Sequence, residues 1–113
     1  EFIASIKQGA GAWAQVSAEA RYTIDYTANA ESGTLKGLTI GGKPVDPAAT
    51  YTVVTNDYVL SGGDGYAIMK NAFDAYNSST TLRDAIIAYA KEKKTLTPVT
   101  DGRIAIVGGM SIP

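Results

Sequence analysis

An alternation of apolar and polar residues predicts most of the strands in this chain. From residue 20 to residue 26 every second position is Ala, Tyr or Ile, which is the period of a strand buried on one face. The polar residues between them, Asp25 included, are then expected to face solvent. Glycines 41 and 42 fit a tight hairpin turn, because glycine adopts positive φ without steric penalty. Further strands are predicted over residues 35–40, 43–45, 51–56 and 103–107.

Apolar residues at helical spacing predict one long helix over residues 81–94. Thr81 and Asp84 resemble a capping box at its start, and three lysines near its end suit the helix dipole. Shorter helical segments are predicted over residues 1–8 and, as a single turn, over residues 57–60. The apolar stripe of the long helix consists of Leu82, Ala85, Ile86, Tyr89 and Ala90.

These elements together favour the α+β class. Strands outnumber helices, and the short links between them favour antiparallel pairing. The sequence therefore predicts a mixed, mostly antiparallel sheet with one long helix and one or two short helices. The length of 113 residues is that of one small domain, so residues 1–113 are expected to form a single domain.

Composition narrows the chemistry that the chain can perform. The net charge of −1 argues against a nucleic-acid partner, which normally meets a basic face. No apolar run approaches the length of about 20 residues that a membrane span needs. The chain has no His and no Cys, so the commonest general base, thiol catalysis and Cys-based zinc sites are excluded. A binding or support domain is favoured over an autonomous enzyme.

The segment over residues 57–66, DYVLSGGDGY, holds the strongest candidate site. Gly62 and Gly63 allow the backbone to approach a ligand closely, and the carboxylate of Asp64 can accept two hydrogen bonds from a vicinal diol. Tyr58 offers an aromatic face on which a nucleobase can stack. The same residues also fit a plain turn, in which the Asp caps its own backbone. A calcium loop is a third interpretation, although the candidate ligands are few.

A second polar segment, Asp101-Gly102-Arg103, has two interpretations. Its arginine could bind a phosphate, but Asp and Gly before a strand are typical of a turn.

Several motifs, taken in order, resemble the C-terminal domain of 5′-nucleotidases, a family that includes UDP-sugar hydrolases and 2′,3′-cyclic-nucleotide phosphodiesterases. The resemblance extends from about residue 13 to residue 107, and the part over residues 51–66 is the most specific. The motifs are WAQVS at residues 13–17, GKPVDP at 42–47, YTVVTNDY at 51–58 and GGDGY at 62–66.

The resemblance implies a role for each of the four candidate residues. Tyr58 matches the aromatic residue that stacks on the base, and Asp64 matches the carboxylate that binds the ribose hydroxyls. Gly62 and Gly63 would hold the loop close to the ligand. The implied ligand is a nucleoside or nucleotide, and no catalytic residue or metal ligand is expected in this chain.

The resemblance also implies partners and a location. An N-terminal metallophosphoesterase domain of the same parent chain would carry two divalent metal ions and perform the hydrolysis, with no cofactor in the present chain. The parent protein would be extracellular, periplasmic or attached to the cell wall.

The chain departs from the family pattern at several positions. Tyr58 stands where phenylalanine is usual, so its hydroxyl needs a partner or water. Ala18 stands where glycine is common. A family segment with a second stacking aromatic and phosphate-binding arginines has no match here, so the chain resembles an N-terminally truncated domain. An exposed apolar patch or self-association would follow. The alternative function is a non-catalytic structural or adhesion module of a surface protein.

Overall fold

The computed structural model describes residues 14–28 and 33–108, which belong to two compact units. Of these described residues, those up to Val53 and those from Asp101 onward form the first unit, and those from Val54 to Thr100 form the second. The helix predicted over residues 1–8 lies outside the described residues. No helix within the described part of the chain is long and apolar enough to cross a membrane. A single domain over residues 1–113 stays a prediction.

The first unit contains a four-stranded sheet in the order β3-β2-β1-β4. β1 pairs antiparallel with β2, β2 pairs antiparallel with β3, and β4 lies parallel to β1. This sheet and the helices of the second unit confirm the α+β class and the mixed, mostly antiparallel sheet. The strands are β1 (Ala20–Asp25), β2 (Thr34–Ile40), β3 (Lys43–Pro44) and β4 (Ile104–Val107).

Glycines with positive φ shape strand β2 and the turn after it. Gly37 and Leu38 together oppose the single residue Tyr22 of β1, so β2 carries a bulge there, and Gly37 has φ +62°. Gly41 and Gly42 have φ +58° and +78°, as a two-residue hairpin turn of the primed type requires. The turn predicted from these two glycines is therefore confirmed.

The core of the first unit lies on the inward face of β1. Tyr22, Ile24 and Tyr26 are buried, as the alternation along this strand predicts. The Tyr22 hydroxyl donates a hydrogen bond of 2.8 Å to the carbonyl oxygen of Ala14, which is also buried. Each large side chain of this kind stabilises the fold by about 1.5–3 kcal/mol through burial.

Asp25 is buried, so the expectation that it faces solvent is wrong. It is the last residue of β1, and its carboxylate turns back to accept hydrogen bonds from the backbone N–H and the hydroxyl of Thr27. Lys36 of β2 reaches the other carboxylate oxygen at 2.5 Å. The hydrogen bond from Lys36, followed by those from Thr27, holds the pKa of Asp25 well below its usual value.

Residues 51–56 do not form the strand that their β-branched composition predicts. Residues 51–55 make no backbone hydrogen bond with any described residue, and Val53 and Val54 are exposed. A strand needs a neighbour for its N–H and C=O groups, and β propensity largely reflects packing on a half-buried sheet. The described residues provide no such neighbour for this segment.

The second unit consists of helical segments without a buried residue of its own. It contains α1 (Asp57–Leu60), two 3₁₀-helices (Gly63–Gly65 and Ala67–Asn71) and α2 (Leu82–Lys93). The Thr81 hydroxyl accepts a 3.0 Å hydrogen bond from the N–H of Asp84, which confirms the predicted cap. The apolar stripe of α2 is exposed, with Leu82 at 63% and Ile86 at 57%.

Candidate functional site

The candidate site is built from α1 and the glycine loop that follows it directly. The Asn56 side chain accepts a 2.8 Å hydrogen bond from the N–H of Val59 and so starts the helix. At its end the hydroxyl of Ser61 donates to the carbonyl oxygen of Tyr58 at 2.8 Å. Gly62 then adopts φ +91°, which turns the chain back toward the helix. This reversal brings residues 63 and 64 to the Tyr58 side chain.

Gly63 lies against one face of the Tyr58 ring. A Cβ added at Gly63 would be 2.5 Å from Cε1 and Cζ of the ring and 2.7 Å from Cδ1. Within the plane of the ring, only the ring centre is equally distant from three adjacent ring carbons, and it is much closer to them than 2.5 Å. The added Cβ, at these longer and nearly equal distances, would therefore lie above the ring. The absence of a side chain at this position is what allows the loop to pack there. Tyr58 remains 56% exposed, so it still presents a large aromatic surface to solvent.

The Tyr58 hydroxyl donates a hydrogen bond of 3.2 Å to Oδ1 of Asp64. Asp64 itself has φ +52°, a left-handed conformation that Asp tolerates better than most residues. Its carboxylate is exposed, and among the described residues no other hydrogen bond to it is present. The hydroxyl that distinguishes Tyr58 from the usual phenylalanine therefore has a partner, and that partner is the second candidate residue.

The structure thus brings together all four candidate residues: Tyr58, Gly62, Gly63 and Asp64. A fifth residue, Lys70, was not found by sequence reasoning: its side chain crosses Gly62, where an added Cβ would be 2.6 Å from the lysine Cε. Nothing in the local pattern signals this contact, because Lys70 belongs to the next 3₁₀-helix. The Tyr58–Asp64 hydrogen bond was also missed, although a tyrosine and a carboxylate on either side of a glycine turn were a usable signal.

The Asp101-Gly102-Arg103 segment has the geometry of a turn. Arg103 pairs with the carboxylate of Asp101 at 2.7 Å and also donates to the carbonyl oxygen of Val16 at 2.9 Å. Hydrogen bonds from the side chain and the backbone of Arg103 lower the pKa of Asp101 to about 2. Gly102 has φ +71°. The pairing with Asp101 favours the turn over the phosphate site, since the guanidinium already has an anionic partner.

The described residues do not contain a constellation for holding a metal ion. Residues 14–28 and 33–108 include no group of three His, Cys, Asp or Glu side chains close enough to share one. Asp57, which flanks the site, has its carboxylate accepting from the N–H of Tyr58 at 3.0 Å. The site therefore offers an aromatic face, a carboxylate and a glycine backbone, which together suit an uncharged ring joined to a diol.

Comparison with known proteins finds relatives that include a nucleotide phosphoesterase and a nucleotidase. The chain is 34% identical over 86 residues to the trifunctional nucleotide phosphoesterase protein YfkN of Bacillus subtilis, covering 74% of the chain and 6% of the relative. It is 31% identical over 94 residues to Protein UshA of Escherichia coli, covering 83% of the chain and 16% of that protein. A 2′,3′-cyclic-nucleotide 2′-phosphodiesterase/3′-nucleotidase of Salmonella typhimurium is 47% identical over 49 residues, which cover 42% of the chain and 8% of the enzyme.

The chain accordingly spans about a sixth or less of the length of these relatives. No solved structure matches it significantly. The family model of the 5′-nucleotidase C-terminal domain matches residues 3–71, more than half of the chain, and this range includes the four candidate residues. The chain therefore belongs to the 5′-nucleotidase C-terminal domain family.

Proposed function

We propose that this chain is the nucleoside-recognition part of a 5′-nucleotidase-type phosphohydrolase. The base stacks on the exposed face of the Tyr58 ring, and the two ribose hydroxyls donate hydrogen bonds to the Asp64 carboxylate. The observation that carries the proposal is the direct contact between these two side chains, since the Tyr58 hydroxyl lies 3.2 Å from Asp64 Oδ1. A base and its ribose are covalently joined, so their two partners must also be neighbours.

Gly62 and Gly63 contribute by allowing the loop backbone to pack directly on the Tyr58 ring. Gly63 packs on one ring face, which leaves the other for the ligand, and Gly62 supplies the left-handed turn. A single aromatic platform contributes about 1–3 kcal/mol to base stacking. With the diol hydrogen bonds added, we expect an affinity in the millimolar range, which corresponds to a binding free energy of about −4 kcal/mol.

Hydrolysis belongs to other parts of the parent protein in this proposal. The described residues do not fit a metal site, so the two divalent ions that would activate water are assigned to an N-terminal metallophosphoesterase domain outside this chain. The proposal of that domain and of a nucleotide substrate for the whole protein is supported by the family and by the activities that the names of the relatives state. A location outside the cytoplasm is proposed from the family resemblance alone. Self-association is a further proposal, supported by the exposed stripe on α2, and sedimentation velocity tests it.

An NMR titration of the ¹⁵N-labelled chain with AMP tests the nucleoside site. We expect shifts centred on residues 59–66, and measurable but weaker AMP binding in Tyr58→Ala and in Asp64→Ala. The matched control is Tyr76→Ala, because Tyr76 lies in the same unit and is 89% exposed but stands outside the loop. No shift with folded protein at millimolar AMP would refute the proposal for this chain and favour the structural or adhesion module.

A further inference from the structure

The Tyr58 hydroxyl has a task that base stacking alone does not require. Stacking uses the ring, and phenylalanine would supply the same ring without a polar group. The hydroxyl nevertheless points to a carboxylate and lies 3.2 Å from Asp64 Oδ1. A hydrogen bond to an ionised acceptor is stronger than one between neutral groups. The substitution of Phe by Tyr therefore adds a specific contact within the site.

The Asp64 carboxylate needs a fixed orientation to bind a ribose without a large loss of rotamer freedom. It is exposed, and among the described residues only the Tyr58 hydroxyl donates a hydrogen bond to its carboxylate. An exposed carboxylate without such a contact samples several rotamers, and a ligand that binds one of them must offset the lost rotamer freedom. The hydrogen bond selects an orientation before the ligand arrives.

The donor is itself held in place from a second side. The ring that carries the hydroxyl rests on Gly63, where no Cβ separates ring and backbone. The ring thus touches the loop at Gly63, and its hydroxyl touches the loop again at Asp64. A tyrosine with only two principal side-chain torsions is well fixed by two such contacts.

The occupied oxygen retains enough capacity for the ligand. An ionised carboxylate offers about four acceptor positions, and the Tyr58 hydroxyl uses one of those on Oδ1. The remaining position on Oδ1 and both on Oδ2 can accept from the two hydroxyls of a ribose. The tyrosine hydroxyl therefore orients the carboxylate without consuming the acceptors that a diol needs.

We infer that the Tyr58 hydroxyl is a positioning group that aims Asp64 at the ribose and so raises the preference of this site for ribonucleotides over nucleotides that lack the 2′- and 3′-hydroxyls. The inference rests on the proposed nucleoside site and adds the sugar specificity of that site. Tyr58 then serves both parts of the ligand, the base through its ring and the sugar through its neighbour.

The test compares AMP with 2′,3′-dideoxy-AMP on the full 113-residue chain. The quantity measured is the ratio of their dissociation constants, obtained from NMR titrations. Loss of one hydrogen bond that orders an acceptor is worth about a fivefold change, so Tyr58→Phe is expected to lower the preference for AMP about fivefold. The matched control Tyr76→Phe removes a hydroxyl from an 89% exposed tyrosine outside the loop, and its ratio should equal that of the parent chain.

A double-mutant cycle with Asp64→Asn shows whether the hydroxyl acts through the carboxylate. In the Asp64→Asn background, Tyr58→Phe should change the ratio by less than in the parent chain, because the carboxamide oxygen is a weaker hydrogen-bond acceptor than the carboxylate. If the parent chain prefers AMP over 2′,3′-dideoxy-AMP and Tyr58→Phe keeps the same preference, the inference is overturned, but the proposed nucleoside site is not. The same follows if Tyr58→Phe lowers the ratio as much in the Asp64→Asn background as it does in the parent chain. A parent chain that binds neither ligand would overturn the inference together with the nucleoside site.

Discussion

A single methyl group at Gly63 should disturb the candidate site without unfolding the chain. In Gly63→Ala the new Cβ would lie 2.5 Å from Tyr58 Cε1 and Cζ, whereas ordinary contact begins near 3.4 Å, so the ring must retreat by the difference of 0.9 Å. Gly63 is not among the residues with positive φ, so alanine fits the backbone there. The clash therefore acts on the ring and not on the backbone.

The expected loss of AMP affinity follows from the contacts that the movement of the Tyr58 ring breaks. The hydrogen bond from Tyr58 to Asp64 is already 3.2 Å long, and a shift of almost 1 Å takes the hydroxyl out of reach. The displaced ring also moves into the space that a base would occupy. We expect AMP affinity to fall about tenfold, or about 1.4 kcal/mol, which lies at the lower end of the worth of one stacking platform.

The assay is an NMR titration with AMP on the parent chain, on Gly63→Ala and on two reference variants. Gly37→Ala adds the same methyl group at a glycine of β2 with open space around it. Its φ of +62° strains the backbone and should lower the stability of the first unit, but AMP binding by the folded chain should be unaffected. In Tyr58→Ala the ring is absent, and adding Gly63→Ala should then have no further effect. Urea unfolding of each variant confirms that it is folded.

Two results would contradict this reasoning. If Gly63→Ala binds AMP as well as the parent chain does, the ring does not rest on Gly63 in solution. If Gly63→Ala weakens binding equally in the Tyr58→Ala background, the glycine acts through its backbone and not through the tyrosine.

Three further predictions concern the two units away from the site. Ile24 is 5% exposed, so Ile24→Ala should lower the free energy of unfolding in urea titrations by about 2–5 kcal/mol. Ile86 is 57% exposed, so Ile86→Ala should lower it by less than about 1 kcal/mol. Equal losses would show that Ile86 is buried in solution. The pKa of Asp25 is lower in the folded chain than in the unfolded chain, so at a pH between these two pKa values the unfolded chain binds more protons. The stability that Asp25 contributes is therefore present above about pH 4 and is lost on acidification. Asp25→Asn should therefore flatten the acid side of a Tm-against-pH curve, and an unchanged curve would contradict the pairing with Lys36. Thr81→Ala removes the cap of α2 and should lower the protection of that helix in hydrogen exchange by about 1 kcal/mol, whereas Thr81→Ser should retain it.

Local patterns predicted the elements that depend on near neighbours. The alternation of buried residues in β1, the extent and cap of α2 and the double-glycine turn all agree with the structure. Each rests on interactions within a few residues, such as the bond from Asp84 to Thr81. The single turn predicted over residues 57–60 is likewise α1.

The candidate site was accessible to sequence reasoning because it is also local. Tyr58 and Asp64 are six positions apart, and the glycines between them permit the chain to turn back. The family resemblance favours the nucleoside site over a turn or a calcium loop, whereas residue spacing alone leaves all three open. The family is now shown by the match over residues 3–71, while the roles of the individual residues stay predictions.

The sequence by itself determined the α+β class, the strand and helix periods and the position of the glycine loop, because these follow from residue spacing and backbone freedom along a short stretch of chain. Only the tertiary structure decided that Asp25 is buried against Lys36, that residues 51–56 form no strand and that β4 runs parallel to β1. It also decided that the Tyr58 hydroxyl meets Asp64. Each of these depends on which groups meet across space, and a carboxylate or a strand adopts its state only when its partner is present.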